Sequence, residues 1–411
     1  MTLGDTLPCS VEALAFGGDG IARVDGRVVF VPETAVGDRA LVRVTQLKKN
    51  YARAGVVSIL EASPDRTAPC CRTRDPETGR LERVPGCAYD HLAYDAELRA
   101  KAGQLSGFLA RLKAPGPFLT LPAVGSPDVL HYRNKIVLHT AHGRGGVRLG
   151  YRREPSHSVL DIPCCPLACD GINTALSDVR RSDVFLRLPG GADVIFRYTR
   201  QDGPLWWSSG APATDRHPPY LTESSPCGPL KVSPDGFYQV NPAVADLLVR
   251  TAAGWFAEDP DCAEILDLYC GVGVFGFACL ARGGTRLLGI EAGREAVAAA
   301  RLNAESLGFP ASFLCHALGR APLALASLVA DANRTTAIVD PPREGLDAEV
   351  TRALTENPVA RLLYVSCDPA TLTRDLALLL AGGRYRLVRA QLFDMFPRTA
   401  HFETLVELRR Q

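Results

Sequence analysis

The sequence predicts an α/β chain in three parts: a doubly wound, Rossmann-like sheet over residues 236–411, a small OB-like β-barrel over 1–62, and a mixed central domain over 63–235. Three observations predict it. From about residue 236 onward, apolar runs alternate with turns and helical stretches, as in AEILDLYCGVGVFG, TTAIVDPPREG and ARLLYVSCDPATLTRDLALLL, the pattern of a sheet crossed over by helices. Residues 8–60 instead alternate apolar and polar positions in short runs broken by glycine, which is barrel patterning. Finally, 411 residues exceed what one ordinary core holds, so two or three domains are expected.

Composition narrows the function classes. With 46% hydrophobic and 22% charged residues the chain reads as a folded soluble protein. No basic, apolar and small-residue leader opens it, and no apolar run approaches the ~20 residues that span a bilayer, so a cytoplasmic monomer without membrane contact is expected. The net charge of +1 means that any nucleic acid must be met by local basic patches and not by an overall field. Thirteen cysteines without an export signal argue against a disulfide framework and leave metal binding or catalysis.

Taken in order, the barrel region carries four or five short strands. Lys48, Lys49, Tyr51 and Arg53 cluster near a strand end and favour a surface for an RNA backbone, against a purely structural barrel. Residues 64–90 are irregular and cysteine-bearing, and 92–113 have helical spacing. From 124 to 235 the pattern returns to strands and loops. The basic run RGGVRLGYRR (144–153) suits a phosphate-lined groove, and a solvated loop accounts for it equally well.

The run ILDLYCGVGVFG (265–276) reads as a buried strand ending at Asp267, a turn with Gly271 and Gly273, and a helix start that lets a ligand approach the backbone. Twenty residues past Gly271, the strand LLGI ends at Glu291, an acid placed for ribose hydroxyls. The spacing fits a dinucleotide fingerprint formally. Yet Asp267 before the turn would repel phosphate, so S-adenosylmethionine, a cation without phosphates, is preferred over NAD. A third strand runs into Asp340-Pro341-Pro342-Arg343, where two prolines stiffen a loop beside the crevice. Enzymes that methylate amines commonly place an aromatic where Arg343 stands, which disfavours that chemistry.

The fourth strand, LLYVS, ends at Cys367 on the same carboxyl edge. A small buried residue is the plain alternative. Because Asp368-Pro369 ends the strand at once, the cysteine is expected to face the crevice, with the helix starting near Ala370 lowering its thiol pKa.

LYVSCDPATLTRDL, DPPREG, DLYCGVGVFG and FYQVN (237–241) together resemble the RNA uracil-5-methyltransferases, in particular the 23S ribosomal RNA branch that carries a TRAM domain. The resemblance covers nearly the whole chain. It implies an amino-terminal TRAM barrel, a class I methyltransferase domain, and methylation of carbon 5 of a uridine in structured RNA, with transfer RNA or a non-catalytic assembly factor as alternatives. By the same resemblance Cys367 is the nucleophile, and Glu403 in His401-Phe402-Glu403 is the general base. Gln239, Tyr269, Glu291 and Asp340 contact S-adenosylmethionine beside Gly271 and Gly273. Two positions depart from the family: Val274 stands where the glycine turn often has asparagine, and a later cofactor-binding asparagine falls near Ala317.

Family members often hold a [4Fe-4S] cluster. Here the spacing is altered, with Cys70 and Cys71 adjacent, Cys87 in PGCAYDH, and Cys164, Cys165 and Cys169 in DIPCCPLACD. The resemblance points to Cys70, Cys71, Cys87 and Cys165 as ligands, with zinc in the same four sulfurs as the runner-up. Such a site would staple a loop-rich domain and take no part in methyl transfer.

Overall fold

Alternating small apolar residues close the first sixty positions into a barrel, and continuous apolar runs build the large sheet of the carboxyl-terminal half. The computed structural model describes residues 1–76, 78–114, 116–143, 146–153, 156–209, 218–319 and 325–411. Strands β1 (Thr6–Leu14), β2 (Gly20–Val24), β3 (Arg27–Val31), β4 (Arg39–Leu47) and β5 (Tyr51–Glu61) close in the order β1-β2-β3-β5-β4. Only small side chains fit inside so narrow a barrel, and Ala22, Val29, Val31, Ala40, Val42 and Ala52 fill it.

In the cysteine-bearing stretch β6 (Arg72–Arg74) and β7 (Leu81–Arg83) pair as a hairpin, followed by α1 (Tyr94–Leu109) and the short β8 (Leu119–Thr120). A five-stranded antiparallel sheet comes next, from β9 (Lys135–Gly143), β10 (Gly146–Arg152), β11 (Val159–Asp161), β12 (Asp193–Thr199) and β13 (Gly203–Ser208). Between β11 and β12 lie α2 (Asp170–Arg181) and α3 (Asp183–Arg187), in a region where sequence patterning predicts only strands and loops. Ile172, Ala175, Leu176 and Val179 of α2 are buried at helical spacing. Gly171 and Asn173, both poor helix formers, disguise that period. Arg144 and Gly145 of the basic run lie outside the described residues. Arg153 is paired with Asp75 and, at 2.8 Å, with Glu82, so it is not free for phosphate.

The hairpin β14 (Leu221–Glu223) and β15 (Leu230–Val232) leads into α4 (Pro242–Ala257), which Asn241 caps. Then the alternation expected from the sequence follows: β16 (Glu264–Leu268), α5 (Val274–Leu280), β17 (Arg286–Glu291), α6 (Arg294–Leu307), β18 (Ala311–Cys315), α7 (Leu325–Leu328), β19 (Thr335–Val339), α8 (Ala348–Glu356), β20 (Arg361–Ser366), α9 (Pro369–Ala381), β21 (Tyr385–Phe393) and β22 (Glu403–Arg410). The sheet order is β18-β17-β16-β19-β20-β22-β21-β8, with every residue of β19 and β20 buried between the helical layers. Stretches amino-terminal to residue 236 also join it: β8 extends the sheet beside β21, and Leu105 and Leu109 of α1 enter a core with Leu372, Leu376 and Phe402.

From β16 the chain steps out to β17 and β18, then returns to β19 and β20 on the other side. The order therefore reverses between β16 and β19, and a crevice is expected at the carboxyl ends of those strands. Asp340 N–H donates to Leu268 O (3.4 Å) at that junction. Strand β22 runs antiparallel to β20 and begins at the same edge. The pair Ser366 and Thr404 closes the ladder, so Cys367 and Glu403 are the next residues outward on the two strands. No helix among the described residues is long and apolar enough to cross a membrane.

Candidate active site

After β16 the chain turns through Tyr269, Gly271 and Gly273, all with positive φ (61°, 53° and 91°). A Cβ at Gly273 would stand 2.7 Å from the Phe277 ring, so glycine is required there for space as well as conformation. At Gly271 an added Cβ would meet nothing within 4 Å, which leaves the turn open toward the crevice. Glu291, assigned from sequence to ribose hydroxyls, has both oxygens engaged by backbone: Oε2 accepts from Gly271 N–H (3.1 Å) and Oε1 from Gly293 N–H (2.7 Å). It straps the glycine turn to the head of α6, with lone pairs left over for a ligand. Tyr269 is fixed by its hydroxyl, which donates to Asp347 Oδ2 (3.0 Å). Gln239 is buried in the segment before α4, and Phe237, two residues earlier, is 73% exposed.

Two acids flank the switch point, Asp267 buried and Asp340 partly exposed. Asp267 Oδ2 accepts from Gly276 N–H (3.0 Å), while Oδ1 has no hydrogen-bond partner. Burial pushes its carboxyl up to about 8 against that hydrogen bond, and the neighbouring charges of Asp340 and Glu291 add to the rise. Burial likewise holds Asp340 up at about 7. An acid pair without a buried cation would repel a pyrophosphate and would welcome a sulfonium. The open glycine turn and these acids therefore fit S-adenosylmethionine.

Cys367 and Glu403 meet at the neighbouring strand ends. Glu403 is 3% exposed, and its Oε2 has no hydrogen-bond partner. Burial, with Asp340 adding like charge, raises its pKa well above the ordinary carboxylate value, and Arg343 works in the opposite direction. Cys367 is partly exposed. Burial first, then Glu403 and Asp340, push its thiol up to about 12, with Arg343 opposing. This corrects the expectation that the helix would lower the thiol. Asp368 caps α9, its Oδ1 accepting from Ala370 N–H (2.8 Å) and Thr371 N–H (3.0 Å), so the helix's free donors are spent on a carboxylate whose own charge raises the thiol further.

Two groups here were not singled out by the sequence reading. Arg343, treated only as the residue replacing an aromatic, is a cation whose charge reaches all three of Cys367, Glu403 and His401. His401 has its Nδ1 buried without a partner, and burial pushes its pKa down. The charge in Asp-Pro-Pro-Arg was visible; its convergence on the separate strand ends that carry Cys367 and Glu403 was not.

Cys71, Cys87 and Cys165 belong to one buried core in the central domain, and the partly buried Cys70 packs against it. Cys70 and Cys71 Sγ stand 3.9 Å apart, and Tyr151 Oη lies 3.4 Å from Cys165 Sγ. A tetrahedral zinc with bonds of about 2.3 Å needs its sulfurs about 3.8 Å apart. Among the described residues no group of three or more histidine, cysteine or acidic side chains is gathered in a form that could hold a metal ion, so neither the [4Fe-4S] expectation nor its zinc alternative finds support in this geometry.

Three family models match the chain: one described as TRAM domain over residues 1–57, one described as Conserved hypothetical protein 95 over 245–366, and one described as tRNA (Uracil-5-)-methyltransferase over 323–411. Among curated relatives, the 23S rRNA (uracil(1939)-C(5))-methyltransferase of Chromohalobacter salexigens is 32% identical, over 98% of this chain and 89% of its own. The protein of the same name from Shewanella amazonensis is also 32% identical, over 98% and 95%. An RNA methyltransferase of Thermosynechococcus vestitus is 31% identical over 98% of both chains. Among solved structures, the Pyrococcus abyssi tRNA (uracil-54, C5)-methyltransferase in complex with S-adenosyl-L-homocysteine superposes with a TM-score of 0.73 at 23% identity, over 98% of this chain and all of that one.

Proposed function

This chain belongs to the TRAM-bearing family of RNA uracil-5-methyltransferases, and on that footing we propose that it methylates carbon 5 of one uridine in a structured ribosomal RNA, with Cys367 as nucleophile and Glu403 as base. One observation carries the assignment of roles. Cys367, next outward from the end of β20, stands opposite a buried carboxylate whose Oε2 has no hydrogen-bond partner among the described residues.

Carbon 5 of uracil is a poor nucleophile, so the ring must first be activated. The Cys367 thiol gives its proton to solvent, its sulfur adds to carbon 6, and the electron pair of the carbon 5–carbon 6 bond moves into an enolate whose carbon 5 attacks the methyl group. S-adenosylmethionine, when bound, would supply that methyl as an electrophile on a sulfonium, and a positive charge held by Asp340 would favour the ionised forms of the nearby thiol and carboxyls. Glu403 then takes the proton from carbon 5. The released pair re-forms the ring double bond, and the carbon–sulfur bond breaks to return Cys367. Arg343 supports the thiolate at the start and at the end of the cycle.

Extruding the uridine costs a few kcal/mol, which contacts elsewhere on the RNA must offset. Lys48 and Lys49, exposed between β4 and β5, are suited to the phosphate backbone, whereas Arg53 is partly engaged with Asp19 (3.0 Å). The ribosomal substrate is supported by relatives at 32% identity along nearly their whole lengths. Incubating the protein with S-adenosylmethionine and RNA from cells lacking its gene tests the activity. 5-Methyluridine should appear at one position of ribosomal RNA; its absence from all RNA would refute the reading, and its appearance in transfer RNA alone would redirect it.

For the central domain, we infer that Cys70, Cys71, Cys87 and Cys165 hold a [4Fe-4S] cluster, whose thiolates must stand farther apart than the 3.9 Å between Cys70 and Cys71 Sγ, so that binding moves one of those two side chains outward. Their shared location in and against one buried core supports this. Anaerobically purified protein should be brown and carry about four irons; colourless, iron-free protein would refute it.

A further inference from the structure

We propose that Phe16, on the turn between β1 and β2 of the barrel, is a positioning residue for the catalytic base, so that the barrel helps to set the step in which the carbon 5 proton is removed. This rests on the reading of Glu403 as that base. Phe16 belongs to the barrel by sequence and to the large sheet by packing: it lies against the core that contains Leu105, Leu109 and Phe402. Its ring meets His401, Phe402 and Phe108 edge-on, at centroid distances of 6.0, 6.0 and 5.9 Å. His401 and Phe402 are the two residues immediately before Glu403.

The turn that presents Phe16 is itself fixed. Gln104 of α1 donates to Leu14 O (3.3 Å) and Ala15 O (2.9 Å) on its near side. Gly17 and Gly18 follow with φ of 108° and 96°, and a Cβ at Gly18 would lie 2.8 Å from the Ala88 Cβ. Phe16 is thus held at a set depth against the sheet.

The loop leading to Glu403 is pinned by polar groups only over its first part. Lys101 Nζ donates to Asp394 Oδ1 (2.7 Å) and Phe396 O (3.2 Å), and Arg398 N–H donates to Glu97 Oε1 (2.7 Å). Past Thr399 those anchors end. Glu403 itself pairs with Phe393 of β21, but among the described residues His401 Nδ1 makes no hydrogen bond, so the approach through His401 and Phe402 is held by packing, and Phe16 supplies an aromatic part of it. If the ring were removed, Glu403 could tilt away from carbon 5 while Cys367, on β20, kept its place.

That geometry gives a readout specific to the base. An enzyme weak in proton removal still adds Cys367 to carbon 6 and transfers the methyl, then stalls with RNA attached. The experiment compares full-length wild type, Phe16→Ala, Phe16→Leu and Glu403→Gln on uridine RNA and on 5-fluorouridine RNA, whose carbon 5 carries no proton to remove. Phe16→Ala is expected to lose about 10²-fold in kcat. RNA and S-adenosylmethionine affinities should be unchanged, and a covalent adduct should build up on uridine RNA, as for Glu403→Gln. Phe16→Leu, which keeps apolar bulk and covers the case in which the alanine variant does not fold, should show the same pattern more weakly. All variants should trap equally on 5-fluorouridine RNA. Unchanged turnover, or turnover lost in step with RNA affinity and without adduct, would overturn the role of Phe16 and leave the function standing. Failure of wild type to trap on 5-fluorouridine RNA would overturn the nucleophile assignment itself, and this inference with it.

Discussion

Two clusters of buried charge sit at opposite ends of the loop 394–403, and they differ in one respect. At its start Lys101, Glu97, Asp394 and Arg398 are buried and mutually paired: Lys101 Nζ lies 2.7 Å from both Glu97 Oε1 and Asp394 Oδ1, and Arg398 reaches Glu97 at 3.3 Å. At its end Glu403 and Asp267 are buried, Asp340 beside them is partly exposed, and among the described residues no buried cation pairs with any of the three. The first cluster meets its charge requirement within the chain, and so it holds the loop. The second is left short of positive charge, which is the condition of a site that awaits a cationic ligand.

The comparison predicts opposite results from similar substitutions. Cys367→Ala should abolish methyl transfer while S-adenosylmethionine still binds, as a calorimetric titration will show; normal turnover would remove Cys367 as nucleophile. Glu403→Gln should slow turnover by about 10²- to 10⁴-fold and accumulate a covalent RNA adduct on a denaturing gel. Lys101→Met should destabilise the fold by about 3–5 kcal/mol in urea unfolding, because it strands two buried carboxylates. Asp340→Asn, which strands nothing, should leave stability unchanged or raised. If the two variants destabilise equally, the contrast between the clusters fails.

The smallest effect is one of pH. Asp267 and Asp340 are raised from an ordinary value of 3.8 to about 8 and about 7, so folding favours their protonated forms. Their contribution to stability is therefore fully present below pH 3.8 and is lost as pH rises through 7 and 8. The melting temperature of the ligand-free protein should fall across that window, and Asp267→Asn should flatten the fall. Addition of S-adenosylmethionine should flatten it too, by placing positive charge beside the ionised acids.

The contrast also marks what the sequence could disclose. The strand ends bearing Asp267, Asp340 and Cys367 were legible because each closes an apolar run at a proline or glycine turn. The barrel was legible from its alternation. The direction of the Cys367 pKa was misread, since it depends on Asp368 turning back to cap α9 and on Glu403 arriving from an antiparallel strand. Helix α2 was overlooked although Ile172, Ala175, Leu176 and Val179 have the right period, because Gly171 and Asn173 lower its local propensity. Glu291 shows a third kind of gap: its position was read correctly, but its backbone partners at Gly271 and Gly293 belong to turn geometry that residue types alone do not specify. Phe16 lay beyond reach for another reason. Its partners Phe108, His401 and Phe402 are between about ninety and nearly four hundred positions away, and nothing local distinguishes an aromatic that docks on another domain from one that stacks on RNA.

The account stands or falls on the bond between one sulfur and one ring carbon. The direct measurement is mass mapping of peptides from the complex that the wild-type protein forms with S-adenosylmethionine and 5-fluorouridine RNA. The account predicts a single modified peptide, with Cys367 carrying a methylated fluorouridine. An adduct on any other residue, or methylated RNA produced from ordinary uridine by a Cys367→Ala protein, would contradict it.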